Sequence, residues 1–387
     1  MMKGFFNLSH LSAGFTTVLV GYTSSVVIVI QAATASGANP AQIESWLLTL
    51  GVVMGLTSIL YSWFYKTPIV TAWSTPAAVM LAASAGQYSL PVVIGAFMFS
   101  GALFTLTGML APLTRALSKI PVPLGTAMLG AILLPFCAKA FTPLTDTPAL
   151  FALLFTSYLL AKHFVPRYTM LVLLLVSFGS ALALGSFQHA DLALRIATPI
   201  WVMPEFDWLA ILNLALPLYL ITMLSQNLPG IAMLKSYQYD APIKPILVGT
   251  GLATLMSAPF GGFSVNLAAI SAAICMNEDV DQDKAQRYRA VLWAGGFYLL
   301  AGIFAALVVN LFLALPKPIS AMLAGLALLG TLMMCLQSAF KIDEYRESAL
   351  LTFVITLSGA TLFGMSATLI GLVVGLAYLR LTTRPRP

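Results

Sequence analysis

Apolar runs of near-spanning length follow one another along the whole chain, separated by short polar turns. A membrane-spanning helix needs ~20 mainly apolar residues, fewer when it lies inside a bundle. On that pattern spans are expected near 11–33, 45–63, 75–86, 92–111, 121–137, 147–161, 168–186, 208–230, 245–257, 266–277, 290–315, 319–336, 347–361 and 363–380. The third and tenth are too short to cross alone. The first run, Leu11 to Ala33, follows Lys3 and ends among small residues, as a cleaved signal peptide would. It is long enough to span and more spans follow, so it reads as the first span. The expectation is an all-α integral membrane protein with fourteen transmembrane segments.

Composition agrees. Hydrophobic residues make up 59% of the chain and charged residues 8%, with a mean hydropathy of +0.93; soluble domains carry about 25% charged residues. The net charge of +6 comes from cations scattered singly between apolar runs. No basic stripe exists, so no nucleic-acid partner is expected. Placement of the cations is a topology signal instead. With a cytoplasmic N-terminus, fourteen spans leave only Lys139, Arg195 and Lys317 of the 19 Lys and Arg outside. The rest, including Lys3, Arg115, Lys119, Lys341, Arg384 and Arg386, fall inside, as the positive-inside rule requires. Both termini are therefore expected in the cytoplasm. Cys137, Cys275 and Cys335 are far apart and lack metal-ligand spacing, so they read as packing residues. Neither a metal nor a cofactor is expected.

Two stretches resemble one another: TPIVTAWSTPAAVMLAAS from Thr67 to Ser84, and APFGGFSVNLAAISAAI from Ala258 to Ile274. A displacement of 191 aligns Pro68 with Pro259, Thr75 with Asn266, and Ala77 and Ala78 with Ala268 and Ala269. After each proline comes a run of strand character, IVTAW or FGGFSV. A helix-capping residue follows, Thr75 or Asn266, then small helix formers, with Pro76 at a first-turn position where its missing N–H is no loss. Each unit reads as a short extended segment followed by a half-helix starting near the bilayer midplane. These units are the third span of each half. The chain thus divides into two inverted seven-span repeats, 1–186 and 208–387, joined by an extracytoplasmic linker over 187–207. Seven is odd, so the halves run in opposite directions and the half-helix N-termini point at each other.

Broken backbone at that depth is tolerated only where protein buries it or a cavity adjoins it. Paired interrupted spans are the best sequence pointer to a transporter site. Facing N-termini supply unpaired N–H groups and partial positive charge, an anion cradle without Arg or Lys. The plainer reading makes Pro68, Pro259, Gly261 and Gly262 packing devices in kinked helices; the recurrence in matching places favours the site.

The thirteen acids lie at span ends or in loops, and His10, His163 and His189 lie near span edges. No interior acid, base or metal set offers hydrolytic chemistry. The interior polar groups are uncharged: Tyr22, Thr23, Ser24 and Ser25 in the first span, Trp73 and Ser74 before the first half-helix, and Phe263 and Ser264 before the second. Single Ser and Thr residues often only glue membrane helices. Adjacent amides such as Gln226 and Asn227, just before Pro229 and Gly230, are harder to satisfy by packing. The charged stretch from Glu278 to Arg289 reads as a solvated connector.

LALPLYLITMLSQNLPGIAMLKSYQY, from Leu214 to Tyr239, together with APFGGFSVNLAAISAAI and STPAA, resembles the benzoate transporter (BenE) family of bacterial inner membranes. That family is similar in plan to nucleobase and sulfate-type anion transporters. The resemblance implies a core domain from residues 1–118 and 208–315, a gate domain from 119–186 and 316–387, and benzoate uptake coupled to protons. Nucleobase transporters carry a Glu where Gln226 stands here, and a second Glu where Ser264 and Val265 stand. Losing both removes groups that hold a nucleobase ring and removes repulsion against a carboxylate.

The expected activity is secondary transport of benzoate or a similar aromatic carboxylate, by alternating access. The carboxylate is expected on backbone N–H groups around Thr75–Ala77 and Val265–Leu267, beside Asn266, with hydrogen bonds from Gln226 and Asn227. Trp73, Phe263 and Tyr22 are expected to contact the ring. Expected partners are the aromatic anion, a proton and the lipid bilayer, with a homodimer left open. The alternatives are the same fold moving another anion or metabolite, or, with less support, a membrane enzyme or assembly factor.

Overall fold

The predicted spans fold as helices whose starts carry ordinary local signals. Asn39 and Gln42 cap each other's backbone N–H groups at 2.9 Å, and Pro40 opens the helix that follows. The computed structural model describes residues 7–110, 112–113, 117, 119–186 and 194–382. Lys3, Arg115, His189, Arg384 and Arg386, used above, lie outside the described residues. So do linker residues 187–193.

In chain order the helices are α1 (Leu8–Ala35), α2 (Pro40–Tyr65), α3 (Thr75–Ser84), α4 (Leu90–Met109), α5 (Val122–Lys139), α6 (Pro148–Phe164) and α7 (Thr169–Ala183). They continue as α8 (Trp208–Ser236), α9 (Ile243–Ser257), α10 (Ile270–Met276), α11 (Tyr288–Ile303), α12 (Ala305–Leu313), α13 (Lys317–Phe340), α14 (Arg346–Ser358) and α15 (Ala367–Thr382). Short strands β1 (Thr71–Trp73) and β2 (Val265–Leu267) precede α3 and α10. Among the described residues, eight helices are long and apolar enough to cross a membrane, and nine if one bent pair counts as a single span. That pair is the expected eleventh span, which bends by 63° between α11 and α12. At the break the Ile303 carbonyl accepts from Ala197 N at 3.2 Å, a bond from the linker.

Packing separates the helices into two groups. α2 packs on α11, α4 on α9, and α1 on α3, α10 and α11. In the other group α5 packs on α13 and α14, α14 on α15, and α6 on α7. Contact between the groups runs from α1 to α7 and α13, and from α3 and α8 to α5. Within the first group small residues let backbones approach closely. A Cβ on Gly51 would lie 2.6 Å from the Gly302 Cα, and one on Gly251 would lie 2.4 Å from Thr105 N.

Residues 194–207 form a strap across the first group. Ile200 N donates to Ser45 Oγ at 2.8 Å, Val202 N to Pro259 O at 2.8 Å and Glu205 N to Pro91 O at 3.0 Å. Arg195 pairs with Glu44, a carboxylate only 3% exposed. At the opposite end of α1, buried His10 meets Asp281 at 2.8 Å, and Arg287 donates to the carbonyls of Asp281 and Met276. The charged connector is thus folded against the bundle rather than simply solvated.

Candidate functional site

β1 and β2 pair antiparallel, with Thr71 opposite Leu267, Ala72 opposite Asn266 and Trp73 opposite Val265. The two broken segments therefore meet, as expected from their recurrence. A two-stranded sheet in an apolar interior leaves outer-edge backbone groups that must find partners. On the β1 side α2 provides them. Thr71 N donates to Ser58 Oγ at 3.0 Å, Ile69 N to Ser62 Oγ at 3.0 Å, and Thr71 Oγ1 to Met54 O at 3.1 Å. Ser58 and Ser62 are four apart and share one helix face. On the β2 side Val265 N donates to Thr254 Oγ1 at 3.0 Å and Leu267 N to Asn227 Oδ1 at 3.0 Å.

These bonds correct two expected roles. Thr75 does not cap α3; Ser74 does, accepting from Ala77 N at 3.2 Å. Asn266 does not cap α10, because its backbone is committed to the sheet and the helix begins only after Ala269. The amides of Ala77, Val265 and Leu267, expected to hold a carboxylate, are already occupied by Ser74, Thr254 and Asn227. Ala269 makes no side-chain cap, so the first amides of α10 are left uncapped.

The broken segments border a cavity of about 520 Å³ lined by α1, α2, β1, α3, α5, α8, α10, α11 and α13. Trp73, Thr75 and Gln226 line it, together with Ser24, Ser25, Ala268, Ala269, Ser271 and Tyr298, which the expected set omitted. Among the described residues, its lining contains no Asp, Glu, Lys, Arg or His. The remaining expected residues stand behind the wall. Tyr22 packs on Trp73 with ring centroids 5.2 Å apart. Ser74, Ala77 and Val265 are fully buried, and Ser264 is buried with a left-handed φ of 43°. The Ser264 Oγ and Asn266 Oδ1 atoms have no hydrogen-bond partner among the described residues, while Asn266 Nδ2 donates to Ser264 O. Phe263, expected against the ring, lies instead between Trp46 and Phe97, with centroids 5.9 and 5.5 Å away. Gly261 at φ 93° turns the chain so that Phe263 enters this aromatic cluster.

The SQNLPG run explains how α8 serves both wall and cavity. Residues Met223–Asn227 form a π turn, a local widening that is frequent at functional sites. Gln226 lines the cavity while Asn227, 1% exposed, faces β2. Gly230 gives the clearance, since a Cβ there would lie 2.7 Å from Leu267 Cβ. Ser25 orients Trp73: its hydroxyl accepts from Trp73 Nε1 at 2.9 Å and donates to Gly21 O at 2.8 Å. Tyr298 carried no sequence signal, being one residue in an ordinary apolar helix.

A family model described as benzoate membrane transport protein matches residues 4–381. The chain belongs to the benzoate membrane transport protein family. It is therefore a multi-pass membrane transport protein rather than an enzyme. This family member is 40% identical over 365 residues to the inner membrane protein YdcO of Escherichia coli, covering 94% of this chain and 93% of the relative. It is 35% identical over 385 residues to the benzoate membrane transport protein of Acinetobacter baylyi, covering 100% and 98%. Its fold is like that of SLC26A9, with a TM-score of 0.67 at 14% identity, over 97% of this chain and 66% of the other. The transmembrane domain of the cyanobacterial bicarbonate transporter BicA matches with a TM-score of 0.63 at 16% identity, over 95% and 97%.

Proposed function

We propose that this chain is a secondary transporter of benzoate or a similar small aromatic carboxylate in a bacterial inner membrane. The observation that carries the reading is the uncharged cavity where the two broken segments meet, faced by the uncapped start of α10. Its volume lies within the ~300–1,000 Å³ of small-molecule pockets. Amides at a helix start favour an anion. Hydrogen bonds from Ser271, Thr75 and Gln226 can add to them, and no carboxylate among the described lining residues repels a negative guest. Trp73 offers a ring face held by Ser25 and Tyr22. The family and the name of the Acinetobacter relative support the same cargo.

The transport cycle in this reading is alternating access in a fourteen-span, twofold inverted plan with both termini cytoplasmic. The packing group of α1–α4 and α8–α12 forms the core, and α5–α7 with α13–α15 the gate, with the cavity between them. Proton coupling would draw on groups outside the cavity, whose described lining residues include no carboxylate or imidazole. Uptake of labelled benzoate into proteoliposomes tests the proposal. Rates above protein-free vesicles, raised by an inward proton gradient and unaffected by excess sulfate, are expected. Equal rates with and without protein reject the cargo, and indifference to the gradient rejects the coupling.

A further inference from the structure

We infer that Asn213 is a latch that holds one mouth of the cavity shut, an inference that rests on the alternating-access reading above. Asn213 lies in the first π turn of α8, Ile211–Ala215, and is 7% exposed. Its Oδ1 accepts from Ser366 N at 2.7 Å. Its Nδ2 donates to Gly364 O at 2.6 Å and to Tyr88 Oη at 3.2 Å. One side chain thus grips both a donor and an acceptor of a single backbone loop. That loop is a tight hairpin between α14 and α15. Leu362 and Met365 exchange backbone bonds at 3.2 and 2.9 Å, and both turn residues, Phe363 and Gly364, have left-handed φ values of 52° and 78°. This is the backbone of a two-residue hairpin turn, a compact and preshaped target. Asn213 and Tyr88 belong with the core group, the hairpin with the gate group, so the grip crosses between them.

Position along α8 gives the grip its meaning. The cavity lining on α8 begins at Leu224, about 16 Å beyond Asn213 at the helical rise. At the Asn213 end, Gln31 Nε2 also reaches across to Ser320 O at 3.4 Å. Nearby positions on those two helices, Ile28, Val29 and Ile30 on α1 and Ile319, Met322 and Leu323 on α13, are almost fully buried. The opposite end differs: Val122 and Met334 line the cavity and are 57% and 50% exposed. The cavity is therefore open where α5 begins and α13 ends, and closed at the Asn213 end. An amide that must match both a carbonyl and an N–H holds only when the hairpin is docked, and it can release without leaving a buried charge.

Cys335 lines the cavity and supplies a probe that needs no knowledge of the cargo. In full-length protein carrying Cys137→Ala and Cys275→Ala, a membrane-impermeant maleimide is applied to vesicles of either orientation. The parent is expected to label from the open side. Asn213→Ala should label at least about tenfold faster than the parent from the closed side, the shift expected from losing the amide's bonds to the loop. Asn213→Asp keeps the acceptor for Ser366 N and loses the donor to Gly364 O, so it should fall between them. Ser338→Cys, also on the lining, replaces the probe if Cys335 is unreactive in the parent. Unchanged closed-side labelling in Asn213→Ala overturns the latch. So does equal acceleration from both sides, the mark of general loosening, which a thermal unfolding scan would reveal as well. Failure of benzoate uptake would strike the cargo alone and leave this readout standing.

Discussion

The segment around Trp73 closes its own helix start, whereas the segment around Asn266 leaves its start open. In the first, Ser74 caps Ala77 N and the second helical residue is Pro76, which has no N–H to offer. In the second, Asn266 is held in the sheet and Ala269 has no side-chain oxygen to give. A capping oxygen and a carboxylate compete for the same amides, so the two half-helices are not equivalent anion sites. The first is a wall, and the second is where the proposed function puts the negative guest, at a helix start without a side-chain cap. The strands that precede them are also held differently. α2 alone serves the β1 segment, through the hydroxyls of Ser58 and Ser62, whereas β2 depends on one amide from α8 and one hydroxyl from α9.

Substitutions can break this asymmetry. Asn227→Leu should have the largest effect: it strands the buried Leu267 N–H, a loss of about 1–3 kcal/mol. The same change displaces β2 from the cavity edge, so benzoate affinity should fall by more than about tenfold. Thermal unfolding and calorimetric binding on purified protein check both. An unchanged melting point would show that Leu267 finds another partner. Ser271→Ala removes the hydroxyl that the first turn of α10 presents to the cavity, so affinity for the carboxylate should fall roughly fivefold. Equal affinity would remove the start of α10 from the binding site.

Ser74→Ala tests the other half. Losing its cap should cost about 1 kcal/mol of stability, with affinity nearly unchanged because Ser74 lies behind the cavity wall. A large affinity loss would return the first half-helix to the anion site. The smallest expected effect is that of Ser25→Ala, which frees the Trp73 indole. A few-fold loss of preference for aromatic over aliphatic carboxylates is expected, measured by competition for uptake. The loss should vanish in a Trp73→Phe background, where no indole N–H remains to be held.

Several features of the site are legible in the sequence alone. The extended-then-helical reading of both segments follows from proline, strand-forming and small residues in order, a short-range signal. Gln226 stood out because an amide in an apolar span needs a partner. Other features depended on contacts that sequence distance hides. Ser74 and Thr75 are both good capping residues, and the end of β1 at Trp73, opposite Val265, decides between them. Asn227 was expected to touch substrate but holds Leu267 instead, forty positions away. Phe263 was expected at the ring, yet Trp46 and Phe97 claim it.

By itself, the sequence determined that this chain lives in lipid, breaks two spans in matching places and keeps its acids at span ends or in loops. These follow from composition and from backbone preferences acting over a few residues. Tertiary structure decided which amides stay open, which aromatic rings face the cavity and which mouth is closed. Each of those outcomes depends on a hydrogen bond or contact between residues tens to hundreds of positions apart, and local propensity has no hold at that range.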